Sequence, residues 1–334
     1  MSETAAGFSL SQEPSSSSSS SFSSSCFLLQ TPKILLDSLK IFLRNKQIFF
    51  SIFALSTLPL SALLFSLSLS SHRRRSHVLD LESLARLSPT RFEARQVWQE
   101  SRDDAISLLY TKSLFLFPSF FFSLLAAVSA VSSVTLAVSG KRPTLHSAAS
   151  AVKLTWKRPL ATSLLVYALL LAYVHVPQTL SAAFPSPTPR FLILTVGSVV
   201  EVYLMAVMSL AVVVSIAEER FGWEAIRVGS GLMEGRRVCG WVLSGLFVCA
   251  TAFIAGDLKK AMDGRDQLTP SSSSSSLFAA AIWVAAWLND KVLLVVLYGV
   301  VVLWSYVVFA VFYCDCRRRH GLLKADIENA TITV

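Results

Sequence analysis

The stretch Phe191–Ala217, FLILTVGSVVEVYLMAVMSLAVVVSIA, decides the fold class of this chain. It contains one charged residue, Glu201, and is long enough to cross a bilayer as a helix. A helix rises about 1.5 Å per residue, so about 20 apolar residues match a hydrocarbon core about 30 Å thick. Five other stretches have the same character. The six predicted spans are Ile48–Ser70, Leu114–Val138, Leu160–Val176, Phe191–Ala217, Val238–Ala255 and Val292–Tyr313.

The composition agrees with a membrane protein. Hydrophobic residues make up 53% of the chain and charged residues 15%, whereas about 25% of the residues of an average soluble domain are charged. No long polar block separates the spans, so we predict one all-α domain over residues 31–316, a bundle of six transmembrane helices.

The net charge of +9 indicates what kind of partner the chain has. Outside the spans there is no basic stripe with interleaved aromatic residues, which a nucleic-acid-binding surface would need. Lys and Arg between spans are instead attracted to anionic lipid head groups. We therefore expect membrane lipids as partners, with other membrane proteins as further candidates, and no nucleic acid.

The first thirty residues form a serine-rich segment with Glu3 and Glu13 but no Lys or Arg. They match neither a secretory signal, which needs a basic start and an apolar core, nor an Arg-rich transit peptide. This polar composition predicts a disordered tail over residues 1–30. Order is expected to begin at Thr31 and Pro32, an N-cap residue followed by a proline suited to the first helical turn.

Three segments between or before the spans share one arrangement. Residues 31–46, 143–157 and 222–235 each have an apolar face, end near basic residues and precede a span, so we predict amphipathic helices lying in the membrane interface. Glycines weaken the third one. The alternative is that any short loop between spans tends to look amphipathic. The predicted contacts with lipid head groups are Lys46, Lys157, Arg158, Arg236 and Arg237.

The distribution of Lys and Arg predicts the orientation, because positively charged loops stay cytoplasmic. The two termini, including the tail 317–334, are then cytosolic, in an endomembrane (ER and secretory pathway) or the plasma membrane. The predicted extramembrane loop 71–113 argues against this orientation, since it begins with Arg73, Arg74 and Arg75. Residues 277–288 are apolar but too short to span, which leaves an interfacial helix, a re-entrant helix or a seventh crossing open.

The five cysteines lack the spacing of a metal site, and we predict no metal and no cofactor. Cys314 and Cys316 follow the last span and precede Arg317–Arg319, a juxtamembrane setting in which cysteines are often S-palmitoylated. The alternative is two unmodified thiols at the interface.

Glu201 is the candidate intramembrane polar site. A carboxylate near the bilayer midplane is costly unless it is protonated, paired or facing water, so such residues are functional candidates. Its candidate supports are Ser198, one turn back, and Tyr167 and His175 of the third span. One interpretation is a site that handles protons or cations in a transporter. The other is a neutral acid hydrogen-bonded between helices.

No enzymatic motif is present in the sequence. HExxH, GxSxG, GxxxxGK[ST] and GxGxxG are all absent. We therefore assign no catalytic residue and predict that the protein is not an enzyme.

Two loop segments resemble a plant family of multi-pass transmembrane proteins of unknown function. They are Val152–Leu160, VKLTWKRPL, and Val214–Gly222, VSIAEERFG. Pro159 departs from the family pattern, which typically has V-x-K-V-W-K-R-L at the first segment. The resemblance implies the architecture and a plant source, and it carries over no catalytic residue.

Two functions are compatible with these patterns. We favour a non-catalytic organiser of membrane lipids or partner proteins. The alternative is a small-solute or ion transporter with Glu201 in the membrane core.

Overall fold

The structure is a computed structural model that describes residues 19–71, 91–184, 186–218, 220–263 and 277–332. Over these residues the chain is all-helical and forms nine helices. They are α1 (Ser19–Arg44), α2 (Lys46–Ser71), α3 (Arg91–Val138), α4 (Leu145–Thr155), α5 (Lys157–Ala182), α6 (Pro187–Ala217), α7 (Trp223–Leu232), α8 (Arg237–Asp263) and α9 (Leu277–Ile332).

Six of these helices are long and apolar enough to cross a membrane, which agrees with the predicted number of spans. The spans are Lys46–Ser71 of α2, Arg102–Val138 of α3, Lys157–Ala182 of α5, Pro187–Ala217 of α6, Arg237–Lys260 of α8 and Val292–Gly321 of α9. This set of helices is consistent with an integral, multi-pass membrane protein.

Helix α6 lies at the centre of the bundle and packs against α3, α5, α7, α8 and α9. Its fully buried residues include Leu210, Ala211 and Val214, which belong to one hydrophobic core with residues of the other helices. This core also contains Phe49, Val134, Leu243, Val308 and Phe312. The core of the bundle is therefore built around α6, whose buried apolar side chains pack against the helices that surround it.

Successive spans run in opposite directions, so one end of the bundle collects several helix termini. There α3 and α6 end, α5 and α8 begin, and α9 passes through residues 313–317. Contacts join these termini directly: Gly222 N–H donates to Thr162 Oγ1 at 2.9 Å, and Tyr313 OH donates to Glu218 Oε1 at 2.8 Å. We call this the basic end, after the nine Lys and Arg residues of the segments 139–159 and 218–237 that join α3 to α5 and α6 to α8.

Helix α7 packs across α6 at the basic end, next to Leu210 and Ala211. Gly229 makes the crossing close, since a Cβ atom there would lie 3.2 Å from the backbone N of Ala211. Gly222 and Gly235, on either side of α7, have positive φ angles of 62° and 82° that favour glycine. Gly229 is thus required by the packing of α7, although glycine lowers its helix propensity, whereas a Cβ atom at Gly231 would meet no neighbouring atom of the described residues.

Helix α1 begins at Ser19, so Thr31 and Pro32 are inside the helix and not at its start. Thr31 is buried, and its hydroxyl lies 3.5 Å from the Cys239 sulfur of α8. The prediction of a helix start at Thr31 is therefore wrong, because this hydroxyl contacts another helix and not the backbone of its own. Of the predicted tail 1–30, residues 1–18 lie outside the described residues and the rest is helical.

Two further helices extend beyond the predicted limits of their spans. Helix α3 starts at Arg91, so the second half of the predicted loop 71–113 is helical, and residues 72–90 lie outside the described residues. Helix α5 continues through Pro177 to Ala182. Hydropathy places the limit of a span where charged residues begin. The helix itself can continue there, because Arg, Glu, Gln and Lys are good helix formers. Residues 91–117 contain neither Gly nor Pro to stop a helix.

Helix α9 is continuous from Leu277 to Ile332. Residues 277–288 are therefore joined to the last span as one helix, and none of the three arrangements considered for a separate segment applies. Asn289, Asp290 and Lys291 interrupt the apolar pattern without interrupting the helix, since nothing in them prevents helical hydrogen bonding.

Helix α2 contains a π-helical turn over Phe53–Thr57, in which Leu58 N–H bonds to the Phe53 carbonyl. Pro59 follows at once and cannot donate a backbone hydrogen bond, so the wide turn occurs where the regular ladder is already interrupted. Gly299 of α9 packs on this turn, and a Cβ atom there would lie 3.0 Å from the Phe53 ring.

Candidate binding sites in the core and at the basic end

A half-open cavity of about 300 Å³ lies between α3, α5, α6, α8 and α9. Most of its wall is apolar, and each of the five helices also contributes at least one hydroxyl group. These are Ser123 of α3, Ser163 and Tyr167 of α5, Ser209 of α6, Ser244 and Thr251 of α8, and Ser305 and Tyr306 of α9. The residues lining the cavity include no charged side chain.

Some of the hydroxyl groups in the cavity wall are paired. Ser123 Oγ and Tyr306 OH lie 2.9 Å apart and join α3 to α9. Ser305 and Thr251 donate to carbonyl groups of their own helices. Ser163, Ser209 and Ser244 form no hydrogen bond with any described residue. The wall thus has three polar groups without a protein partner.

The predicted polar site around Glu201 is not assembled in the structure. Tyr167 lines the cavity, but Glu201, Ser198 and His175 do not. Glu201 is half-buried on α6 and has no hydrogen bond or ion pair with a described residue. Ser198 donates to the Thr195 carbonyl of its own helix at 2.9 Å, and His175 is exposed. Only Tyr167 of this set belongs to the cavity.

A second site is an open groove of about 1010 Å³ at the basic end, where α1 meets α2 and α3 is linked to α4. Its basic residues are Arg44, Lys46, Lys141 and Arg142, and its lining contains no Asp or Glu. None of the four forms an ion pair with a described residue. We call this the basic groove.

Local sequence signals fix the α3–α4 wall of the basic groove. Gly140, with φ of 77°, ends α3 and turns the chain. Thr144 then caps α4: its side chain accepts from Ser147 N–H at 3.2 Å, while Thr144 N–H donates to Ser147 Oγ at 3.1 Å. Lys141 and Arg142 lie between these two fixed points, so their backbone positions are held by the ends of two helices.

A buried polar network also lies at the basic end. Arg236 is only 6% exposed and forms an ion pair with half-exposed Asp315 of α9. Tyr313 OH donates to Glu218 at 2.8 Å, and Arg317 donates to the Tyr313 oxygen at 3.1 Å. These contacts tie the end of α6 and the start of α8 to α9.

The structure corrects one predicted head-group contact and leaves the others at the surface. Arg236 is buried and paired with Asp315, so its charge is not available to lipid. Lys46, Lys157 and Arg237 are exposed, and Arg158 is half-buried. Of the five, Lys46 is the one that lines the basic groove.

The two candidate palmitoylation sites differ in accessibility. Cys316 is 2% exposed, so its thiol is inside the bundle and the prediction of lipidation there is wrong. Cys314 is half-buried. Both have free thiols, and no group of three or more His, Cys, Asp or Glu residues within the described part of the chain could hold a metal ion.

Comparison with known proteins gives a family and no activity. A family model described as "Domain of unknown function (DUF8558)" matches residues 25–328. The chain belongs to this family. Neither a curated protein nor a solved structure matches the chain. The resemblance to a family of unknown function is confirmed at this level, and the plant source stays a prediction.

The sequence pattern did not reveal either site. Serines in the spans indicate close helix packing, and only the structure separates those that bond to their own helix from those that face the cavity. Arg44, Lys141 and Arg142 are visible in the sequence as basic residues outside the spans. Arg44 is far from the other two in the chain, so the sequence does not show that the three line one groove. Hydroxyl residues recurring on several spans are the one signal that could have pointed to the cavity.

Proposed function

We propose that this protein is a non-catalytic, multi-pass membrane protein that binds anionic lipid head groups at its basic end and organises lipids or partner proteins there. The observation that carries the proposal is the basic groove. Four cationic side chains converge on one open site without an acidic residue in its lining. Each Lys or Arg close to an anionic membrane surface contributes about 1 kcal/mol of attraction.

The groove also has the apolar edge that a lipid requires. Phe50, in the first turns of α2, is 71% exposed, and Leu145, at the start of α4, is exposed as well. Both residues line the groove beside its cations. A head group held by Lys141 and Arg142 would leave its acyl chains beside these side chains, where apolar contact stabilises them.

Helix α1 has the surface expected of a helix at the membrane interface. One side is buried against the bundle, where Ser38 accepts a hydrogen bond from Trp304 Nε1 at 3.2 Å. A second side exposes a stripe of leucines, namely Leu36, Leu39 and Leu43. A third exposes charged residues, namely Lys33, Asp37, Lys40 and Arg44. We infer that the leucines face lipid and the charges face water, which places the basic groove at the level of the head groups.

The other finer features follow from this placement. With the basic end at the cytosolic leaflet, both termini are cytosolic and α4 and α7 lie in the interface beside α1. We place the protein in an endomembrane or the plasma membrane of a plant cell. Tags on the two termini, probed by protease protection, test the sidedness, since tags on opposite faces would contradict it.

A lipid-binding assay tests the proposal with the full-length chain. We would reconstitute it in phosphatidylcholine nanodiscs with and without phosphatidylserine and count the retained anionic lipids by native mass spectrometry. The test variant is Arg44→Gln, Lys141→Gln and Arg142→Gln. The control removes the same charge from exposed positions toward the opposite end, as Lys112→Gln, Arg190→Gln and Lys259→Gln. We expect a loss of bound phosphatidylserine in the test variant alone, and equal losses in both variants would reject the groove.

The alternative, a small-solute or ion transporter that uses Glu201, is favoured by one observation. Glu201 is on the same face of α6 as Met205, which lines the cavity one turn further along. Transport in reconstituted vesicles that is lost in Glu201→Gln would favour this function. A parent protein without transport would leave the lipid-binding proposal in place.

A further inference from the structure

The cavity wall contains hydroxyl groups that have no hydrogen-bond partner among the described residues. Ser163 is 9% exposed and Ser244 is 4% exposed, and both line the cavity without a hydrogen bond to a described residue. Neither serine oxygen is one of the buried side-chain atoms that lack a partner, so both hydroxyl groups are accessible from the cavity and open to a ligand. Ser209, on a third helix, is half-buried and also lines the cavity without a hydrogen bond to a described residue.

Other serines in the spans bond to their own helix. Ser129 donates to the Leu125 carbonyl and Ser133 donates to the Ser129 carbonyl, each at 2.7 Å. The same bond is available in principle to any serine in a helix. Ser163, Ser209 and Ser244 instead keep their hydroxyl groups free at the wall of one cavity, which indicates a bound polar group as their partner.

The rest of the wall restricts what that group can belong to. The cavity lining contains no charged side chain, so a charged ligand would stay uncompensated in the membrane core. Phe120, Phe247 and Val248 provide apolar surface, and Met205 and Met208 add flexible side chains that adapt to a ligand. The ligand is therefore neutral and mostly apolar, with a small hydrogen-bonding head.

The volume restricts the size of the ligand. About 300 Å³ is at the lower end of the range of small-molecule pockets, which is about 300–1,000 Å³. A phospholipid with two acyl chains exceeds this space. We propose that the cavity binds a small neutral amphiphile with one hydroxyl head group, of the class of medium-chain alcohols, whose hydroxyl bonds to one or more of the wall residues Ser163, Ser209 and Ser244. This site is separate from the basic groove and does not depend on its function.

Photolabelling with a matched set of probes tests this site. The probes are octanol carrying a diazirine, the corresponding diazirine-octane without the hydroxyl, and the diazirine-octanoate anion. Each is added to the full-length protein in phosphatidylcholine vesicles, and labelled residues are identified by peptide mass spectrometry. We expect the alcohol probe to label residues of the cavity wall, unlabelled octanol to compete, and the other two probes to label lipid-facing residues such as Phe253.

A pair of variants separates ligand binding from general effects of serine removal. The test variant is Ser163→Ala, Ser209→Ala and Ser244→Ala. The control is Ser66→Ala, Ser113→Ala and Ser139→Ala, three exposed serines that bond to their own helix. We expect labelling of the wall by the alcohol to fall about tenfold in the test variant, as expected for loss of one to two net hydrogen bonds, and to be unchanged in the control.

Three results would overturn the proposal. Equal labelling of the wall by the alkane probe would show that the hydroxyl groups do not select the ligand, and equal labelling by octanoate would show that the site is not restricted to neutral molecules. Labelling confined to lipid-facing residues in the parent protein would show that the cavity takes no such ligand. The parent and the competition experiment decide this even where the triple serine variant fails to fold.

Discussion

Two groups of cations lie at the same end of this molecule and have opposite surroundings. Arg236 is buried and paired with Asp315 between α8 and α9. Arg44, Lys141 and Arg142 line an open groove whose described lining has no acidic residue. Charge alone does not distinguish the two groups, but burial and pairing do. The first group holds helices together, whereas the second has its charge available to another molecule.

Removing Asp315 should have the largest effect, because it leaves the buried Arg236 charge without a partner. We expect Asp315→Ala to lower the free energy of unfolding by about 3 kcal/mol, the lower end of the range for broken buried ion pairs, since Asp315 itself is half-exposed. Unfolding of the full-length chain in mixed micelles with increasing SDS measures this.

The double variant Asp315→Leu with Arg236→Met is the control for this prediction. Replacing both charges by apolar side chains removes the uncompensated charge, so it should recover much of the lost stability. A double variant as unstable as Asp315→Ala would show that Arg236 is held by contacts other than the ion pair.

The basic groove should show the reverse behaviour. Lys141→Gln with Arg142→Gln should lower the affinity for phosphatidylserine by about 2 kcal/mol, about thirtyfold, while the SDS unfolding curve stays unchanged. The effect should shrink as salt is raised from 50 to 500 mM, since exposed charges are screened (about 3 Å Debye length at 1 M). A loss of stability as large as that of Asp315→Ala would remove the distinction between the two groups.

Tyr313 tests the rest of the buried network. Its ring is buried, and its hydroxyl donates to Glu218 and accepts from Arg317, so Tyr313→Phe removes both hydrogen bonds without leaving a cavity. We expect a loss of about 1–2 kcal/mol in SDS unfolding, because the accepting carboxylate is charged. Tyr110→Phe, at an exposed tyrosine of α3, should have no effect.

The smallest effect is expected at Arg237, the neighbour of Arg236 in sequence. Its guanidinium lies 3.9 Å from Glu234, and both side chains are exposed. Such surface pairs contribute about 0–1 kcal/mol, so Arg237→Gln should change the unfolding free energy by less than about 0.5 kcal/mol. A larger loss of unfolding free energy would mean that the exposed Arg237 side chain also stabilises the fold.

Hydropathy was sufficient to predict six helices that are long and apolar enough to span a membrane. Helices of soluble proteins rarely contain apolar runs of this length. Hydropathy failed at helix ends in water: α3 begins at Arg91 and α9 continues to Ile332, because helix propensity does not stop where hydropathy does. The start of α1 was wrong for a different reason, since the polar Thr31 contacts Cys239 from another helix.

The sites were less predictable because they depend on contacts between distant residues. Arg236 and Asp315 are far apart in the chain, so the sequence does not indicate that they form a pair. It shows a basic pair before a span, which predicts a head-group contact for both Arg236 and Arg237. Glu201 is conspicuous in the sequence as a carboxylate within a span, but it does not line the cavity. The cavity instead uses serines, and which serines remain unpaired depends on the packing of five helices.

The continuity of α9 connects the cavity with residues outside the hydrocarbon core. Its 56 residues correspond to a helical length of about 84 Å, nearly three times the thickness of a hydrocarbon core. A helix of this length extends beyond the core at one end or at both ends. Tyr306 of α9 and Ser123 of α3 form a hydrogen bond in the cavity wall, so the cavity is bonded to a helix that also reaches the aqueous phase.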